Sequence, residues 1–137
     1  MPENSRPRPT ILVVAENGAL IGDLKSALAA AKYELHHARQ TRQAVEILNS
    51  MNSQTDLTIV DLEFPGGLAL IGHLIHRVPK TTKIIASTSF FDGSFLERLK
   101  QLGVDEAVQS PASPQAWRKT IASVLNVKEG NSSASSA

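Results

Sequence analysis

A chain of 137 residues with a formal net charge of +1 fits one domain, large enough to bury a real core. Hydrophobic residues make up 42% and charged residues 20%, an ordinary globular balance, and the small net charge argues against a nucleic-acid binder that works through a broad basic field. With no cysteine in the chain, disulfides, thiol catalysis and thiolate-held zinc are excluded. No apolar run approaches the ~20 residues that cross a bilayer, and "MPENSRPRPT" lacks the apolar centre of a signal peptide. These features predict a cytoplasmic domain with neither a nucleic acid nor a membrane as partner.

Residues 1–9 are polar and carry Pro2, Pro7 and Pro9, which reads as a disordered N-terminal arm. The small polar stretch 128–137 reads as a flexible tail. Between them, 10–127 is the predicted folded domain, without an internal repeat. "TILVVA" (10–15) is almost continuously apolar, as a parallel strand covered on both faces should be. Leu20, Leu24, Ala27, Leu28 and Ala31 then recur with helical period. "YELHHA" (33–38) is a more polar strand, suited to a sheet edge, and Ala44, Val45, Leu48 and Met51 form a second helical stripe.

"LTIVD" (57–61) is the third strand. Ile71, Leu74, Ile75 and Val78 mark the third helix, which Pro79 stops. "KIIAST" (83–88) is the fourth strand, and Phe95, Leu99 and Leu102 face one side of a fourth helix that Gly103 is placed to cap in left-handed conformation. "DEAVQ" (105–109) is a short fifth strand. Ser113 is placed to cap a last helix, with Pro114 at its first position and Trp117, Ile121, Val124 and Leu125 along its apolar face.

Five strand–helix units with short connections predict an α/β fold, a parallel sheet with helices on both faces. Ligands of such sheets bind beyond the carboxyl ends of the strands, near the switch in strand order. Glu16 follows strand one, Asp61 ends strand three, Thr88 ends strand four and Ser110 follows strand five, so these four are expected on one edge. A carboxylate that accepts a phosphoryl group needs further acids to hold a hard divalent cation. It also needs donors for the phosphoryl oxygens and a fixed cation to balance charge.

Here the layout resembles the receiver domain of bacterial two-component response regulators. "ILVVAEN", "IVDLEFPGG", "IIASTS" and "LGVDEAVQSP" carry the resemblance, which spans roughly 10–125. It implies a doubly wound, flavodoxin-like five-stranded parallel sheet of strand order 2-1-3-4-5. It also implies Asp61 as phosphoacceptor, with Pro65 four residues on. Mg2+ would be held by Glu16, Asp61 and the backbone carbonyl of Glu63, and Thr88 would be the hydroxyl that bonds the phosphoryl group. The implied role is a stand-alone receiver in phosphorelay signalling rather than an enzyme, with at most self-phosphorylation from a phosphodonor. A histidine kinase or phosphotransfer protein would be the donor, and a protein target would be met through the fourth helix, fifth strand and fifth helix.

Three positions depart from that pattern. Ala15 stands where the first acid of the pair belongs, Ser110 replaces the lysine and with it the fixed charge, and Ala107 replaces an aromatic switch residue. Glu16 is one methylene longer than the usual aspartate, and the turn after Asp61 is about two residues short. These departures keep an alternative open, a degenerate pseudo-receiver that binds proteins without phosphorylation. A third class, a flavin binder or a haloacid-dehalogenase-type phosphatase on a similar sheet, lacks the loop donors or the downstream lysine and acids that it needs.

Other residues carry weaker signals. His36 and His37 point to opposite faces of a strand, and His73 with His76 on one helix face lacks a third ligand. Arg77, Lys80 and Lys83 read as a solvated loop, Trp117 as a core anchor, and one of Phe90 and Phe91 as part of a partner surface.

Overall fold

The computed structural model describes residues 9–16, 18–28, 33–50, 55–63, 66–76, 82–89, 92–110 and 112–125. Five strands, β1 (Thr10–Val14), β2 (Glu34–Ala38), β3 (Leu57–Asp61), β4 (Lys83–Thr88) and β5 (Glu106–Gln109), alternate with five helices. The helices are α1 (Ala19–Ala27), α2 (Thr41–Ser50), α3 (Gly67–Ile75), α4 (Gly93–Leu102) and α5 (Pro114–Leu125). The strands pair in parallel in the order β2-β1-β3-β4-β5, the order that the family resemblance implies.

Alternation along the strands sorts the core into two layers. Ile11, Val13, Leu57, Ile59 and Ile85 point to one face and pack with α1 and with Trp117 and Ile121 of α5. Leu12, Val14, Val60, Ile84 and Ala86 point to the other and pack with Ala44 and Leu48 of α2, Leu70, Ile71 and Leu74 of α3, and Leu99 of α4. Every residue of β1 is buried, because it lies inside the sheet with helices on both faces. β2, with only Ala38 fully buried, is an outer strand, which is why it tolerates Glu34, His36 and His37.

The two helix caps read from sequence are present. Gly103 adopts φ 118° at the end of α4, and Ser113 Oγ accepts the Ala116 N–H at 3.0 Å at the start of α5. Asp92 caps α4 as well, accepting from Ser94 N at 2.8 Å, a cap the apolar pattern did not reveal. One expectation needs correcting: Leu102 shares a side of α4 with Phe95 and Leu99 but is 53% exposed, since it falls at the last turn beyond the cover of the sheet. Ala31, Met51, Val78, Pro79, the N-terminal arm and the tail lie outside the described residues.

At the amino ends of the strands, acids do structural work. Asp56 Oδ2 accepts the Thr10 N–H at 2.8 Å, and Asp105 Oδ2 accepts the Ile84 N–H at 2.8 Å. Each satisfies a backbone donor at a strand start that would otherwise lack a partner. The acids at the carboxyl ends have a different setting.

Candidate functional site at the carboxyl edge of the sheet

The chain leaves β1 for β2 on one side and returns to β3 on the other, so the strand order switches between β1 and β3. Asp61 closes β3 at that switch. In the register it lies opposite Ser87 of β4, and Val14 of β1 lies opposite Val60, which sets Glu16 a short step beyond the level of Asp61. Ser110 N donates to Thr88 O at 2.9 Å, carrying the β4–β5 pairing out to the same edge. The four residues expected at one edge therefore come from strand ends that do share it.

Asp61 is half-buried, and its Oδ1 accepts the Glu63 N–H at 2.9 Å. It thus caps its own turn, the bland role an acid at a strand end can fill, while its second oxygen takes no part in that bond. Burial pushes its carboxyl above the ordinary value of 3.8, the bond from Glu63 N–H works against this, and the nearby Glu63 carboxylate adds to the rise. A raised pKa in the fold gives stability at pH below the unfolded value that is lost as pH rises through the folded one. Ionised Asp61 is therefore a net cost to the fold at neutral pH.

Glu63, expected to matter through its backbone carbonyl, is placed chiefly by its side chain. Leu62 N donates to Ser87 O at 2.8 Å, which extends the β3–β4 pairing and lays the next residue over the end of β4. There Glu63 Oε2 accepts the Ser89 N–H at 2.7 Å and the Thr88 hydroxyl at 3.3 Å. The Ser89 backbone bond, then its hydroxyl, hold the Glu63 carboxyl below its usual range, with Thr88 adding less. Its stabilising contribution is present above the unfolded pKa and is lost as pH falls through the folded one.

The two glycines after Asp61 have separate jobs. Gly66 sits at φ 92° ahead of α3, in the left-handed region where glycine alone is unstrained. At Gly67 an added Cβ would stand 2.9 Å from the Asp61 carbonyl oxygen and 3.3 Å from a Leu62 methyl. The first turn of α3 therefore packs directly onto the backbone of Asp61. Pro65 lies outside the described residues.

On the β1 side, Ala15 is fully buried, so its methyl fills space where an acid would need solvent or a cation. The neighbouring loop is tied to the end of β2 instead. His37 Nε2 donates to the Ala15 carbonyl at 3.0 Å, and Arg39 Nε donates to the Glu16 carbonyl at 3.2 Å. His36 meets Glu34 at 3.0 Å, so the two adjacent histidines do face different partners. His76 Nδ1 donates to Gly72 O at 2.8 Å, and among the described residues no three His, Cys, Asp or Glu side chains group as a metal site. Phe90, Phe91, Arg77 and Lys80 lie outside the described residues.

Mg2+ takes oxygen ligands and is commonly held by one or two carboxylates, with water filling the remaining positions. Glu16 and Asp61, at the ends of adjacent strands, are donors of that kind, and the Glu63 carbonyl is a third oxygen. These are oxygens of the kind such an ion would need, with one carboxylate fewer than an acid at Ala15 would supply.

A parallel doubly wound sheet with a part-buried aspartate at its switch point defines an α/β class whose ligands bind at that edge. Comparison narrows it: the family profile "response regulator receiver domain" matches residues 11–122, and the chain belongs to that family. The fold is shared by a response regulator from Thermotoga maritima, 21% identical, TM-score 0.78, with 87% of this chain and 98% of that one aligned. A signal receiver domain of an HD domain-containing protein from Pseudomonas fluorescens Pf-5 is 25% identical, TM-score 0.76, covering 87% and 95%. NtrX from Brucella abortus is 16% identical, TM-score 0.76, covering 87% of this chain but 26% of its own. A search of curated proteins finds no match. No helix among the described residues is long and apolar enough to cross a membrane.

Proposed function

We propose that this receiver domain accepts a phosphoryl group on Asp61 from a histidine kinase or phosphotransfer protein and signals by protein contact. The observation that carries the proposal is the position of Asp61: part-buried at the carboxyl end of β3, at the switch in strand order and opposite Ser87, one residue short of Thr88 on the neighbouring strand. In the step itself, an oxygen of Asp61 attacks the phosphorus of a phosphohistidine. The P–N bond breaks as an acyl phosphate forms, and the imidazole nitrogen keeps the electron pair and later takes a proton from solvent. Thr88 and Ser89 are donors for the equatorial oxygens, in the manner of preorganised donors aimed at developing charge.

Mg2+, held by Glu16, Asp61 and the Glu63 carbonyl, would neutralise part of the charge on the phosphoryl oxygens. Ser110 supplies no positive charge, so retention and switching of the phosphorylated form depend more heavily on the remaining donors. Ala107, half-buried against the layer that holds Phe95 and Leu96, has no ring to turn inward. Output would then rest on shifts of the loops around Asp61 and on the face of α4, β5 and α5.

Intact mass after incubation with acetyl phosphate and Mg2+ tests this. One phosphoryl adduct is expected on the wild type, and none on Asp61→Asn or after chelation of Mg2+. The asparagine variant keeps the acceptor for the Glu63 N–H and is relieved of a half-buried charge, so at neutral pH it should be at least as stable as the wild type. A folded wild type without adduct would reject phosphorylation and leave a module that acts by binding alone.

A further inference from the structure

The side chain of Glu63 takes no part in the proposed chemistry, yet it makes a short polar contact at the site. Its Oε2 takes the Ser89 N–H at 2.7 Å and the Thr88 hydroxyl at 3.3 Å. Two N–H or O–H donors converging on one anionic oxygen form a small oxyanion seat. The same strand register that puts Asp61 opposite Ser87 puts this seat one to two residues beyond the acceptor carboxylate. A phosphoryl group on Asp61 and the Glu63 carboxylate are both anions in search of the same hydrogens, and one N–H cannot serve two of them at full strength. Like charges held this close also repel.

We propose that Glu63 is the resident occupant of the phosphoryl-oxygen seat formed by Thr88 and Ser89, and that it must swing out before Asp61 can be phosphorylated. The inference rests on Asp61 being the acceptor and adds what holds the acceptor site closed. Glu63 is a gating residue, not a catalytic one: its carboxylate forms and breaks no covalent bond. Because it is exposed, it has room to leave toward solvent, and its backbone carbonyl need not move with it. Its displacement frees one carboxylate and fills the seat with a bulkier dianion.

The test compares full-length wild type, Glu63→Ala and Glu63→Gln for the initial rate of adduct formation from acetyl phosphate and Mg2+. Removing the competitor for the two donors should speed acceptance about tenfold in the alanine variant. Glutamine, which refills the seat without charge, should fall between. The Ser89 amide proton should move upfield in the alanine variant as it loses a 2.7 Å partner. Damage to the fold lowers the rate, so a gain is not produced by mere disruption. A rate unchanged within about twofold, or lowered, in a folded alanine variant overturns the inference.

If no variant accepts a phosphoryl group, the proposed function fails, and the seat is then tested by itself with inorganic phosphate titrated against the Ser89 amide. A response that saturates at lower phosphate in the alanine variant than in wild type supports Glu63 as the occupant. Equal responses overturn it.

Discussion

A single methyl group at Gly67 is expected to cost the fold about 1–3 kcal/mol, the usual range for overpacking a tight site, and to slow phosphoryl acceptance at Asp61 with it. The added Cβ would lie 2.9 Å from the Asp61 carbonyl oxygen, and the atom it meets is backbone at the end of a central strand. Either α3 backs away from the sheet or the Asp61–Glu63 turn rotates, and both disturb the bond from Glu63 N–H that orients the acceptor. The same change at Gly72, one and a half turns further along α3, meets nothing within 4 Å. There it should stabilise the helix by up to about 1 kcal/mol, the propensity gap between glycine and alanine. Urea unfolding of the two variants, with acceptance rates measured on each, separates helix propensity from the contact. Equal stability for the two would contradict the account of the turn.

Trp117→Ala should be the most damaging change in the molecule, at about 3–5 kcal/mol for a buried aromatic truncated to alanine. That is a large share of the 5–15 kcal/mol typical of a whole domain. Trp117 is 1% exposed and joins α5 to the layer that contains β1, β3 and α1. Its Nε1, however, finds no hydrogen-bond partner among the described residues, and an unmet buried donor costs about 1–3 kcal/mol. Trp117→Phe removes that donor while keeping most of the ring, so its loss should be far smaller, within about 1.5 kcal/mol of wild type. Thermal or urea denaturation of the pair checks both figures. A phenylalanine variant as unstable as the alanine one would show that the indole N–H is satisfied.

The fold was legible in the sequence because its signals are local. β-branched apolar runs mark β1, β3 and β4, the polar "YELHHA" marks an edge, and Gly103, Ser113 and Pro114 punctuate the helices. The carboxyl-edge positions of Glu16, Asp61, Thr88 and Ser110 followed from the parallel arrangement alone. Leu102 escaped because helical period says which side of α4 a residue takes and not how far the sheet extends beneath it.

The Glu63 side chain escaped for a related reason. Its partners lie 25 and 26 residues away, and only the β3–β4 register brings them within reach. The spacing of Glu63 two residues after Asp61 was visible, but which atom of Glu63 would be used was not. Likewise "PGG" announced a turn, whereas the approach of Gly67 to the Asp61 carbonyl depends on how closely α3 packs against the strand end.

In the proposed function, Asp61, Thr88 and Ser89 form one phosphoryl site at the switch in strand order. Its most direct test is a titration of the 15N-labelled protein with beryllofluoride and Mg2+, a non-covalent stand-in for a phosphoryl group on a carboxylate. The amides of Asp61, Glu63, Thr88 and Ser89 are expected to shift first and furthest, and Asp61→Asn to abolish the response. A folded wild type whose Ser89 and Asp61 amides stay in place at saturating beryllofluoride would contradict it.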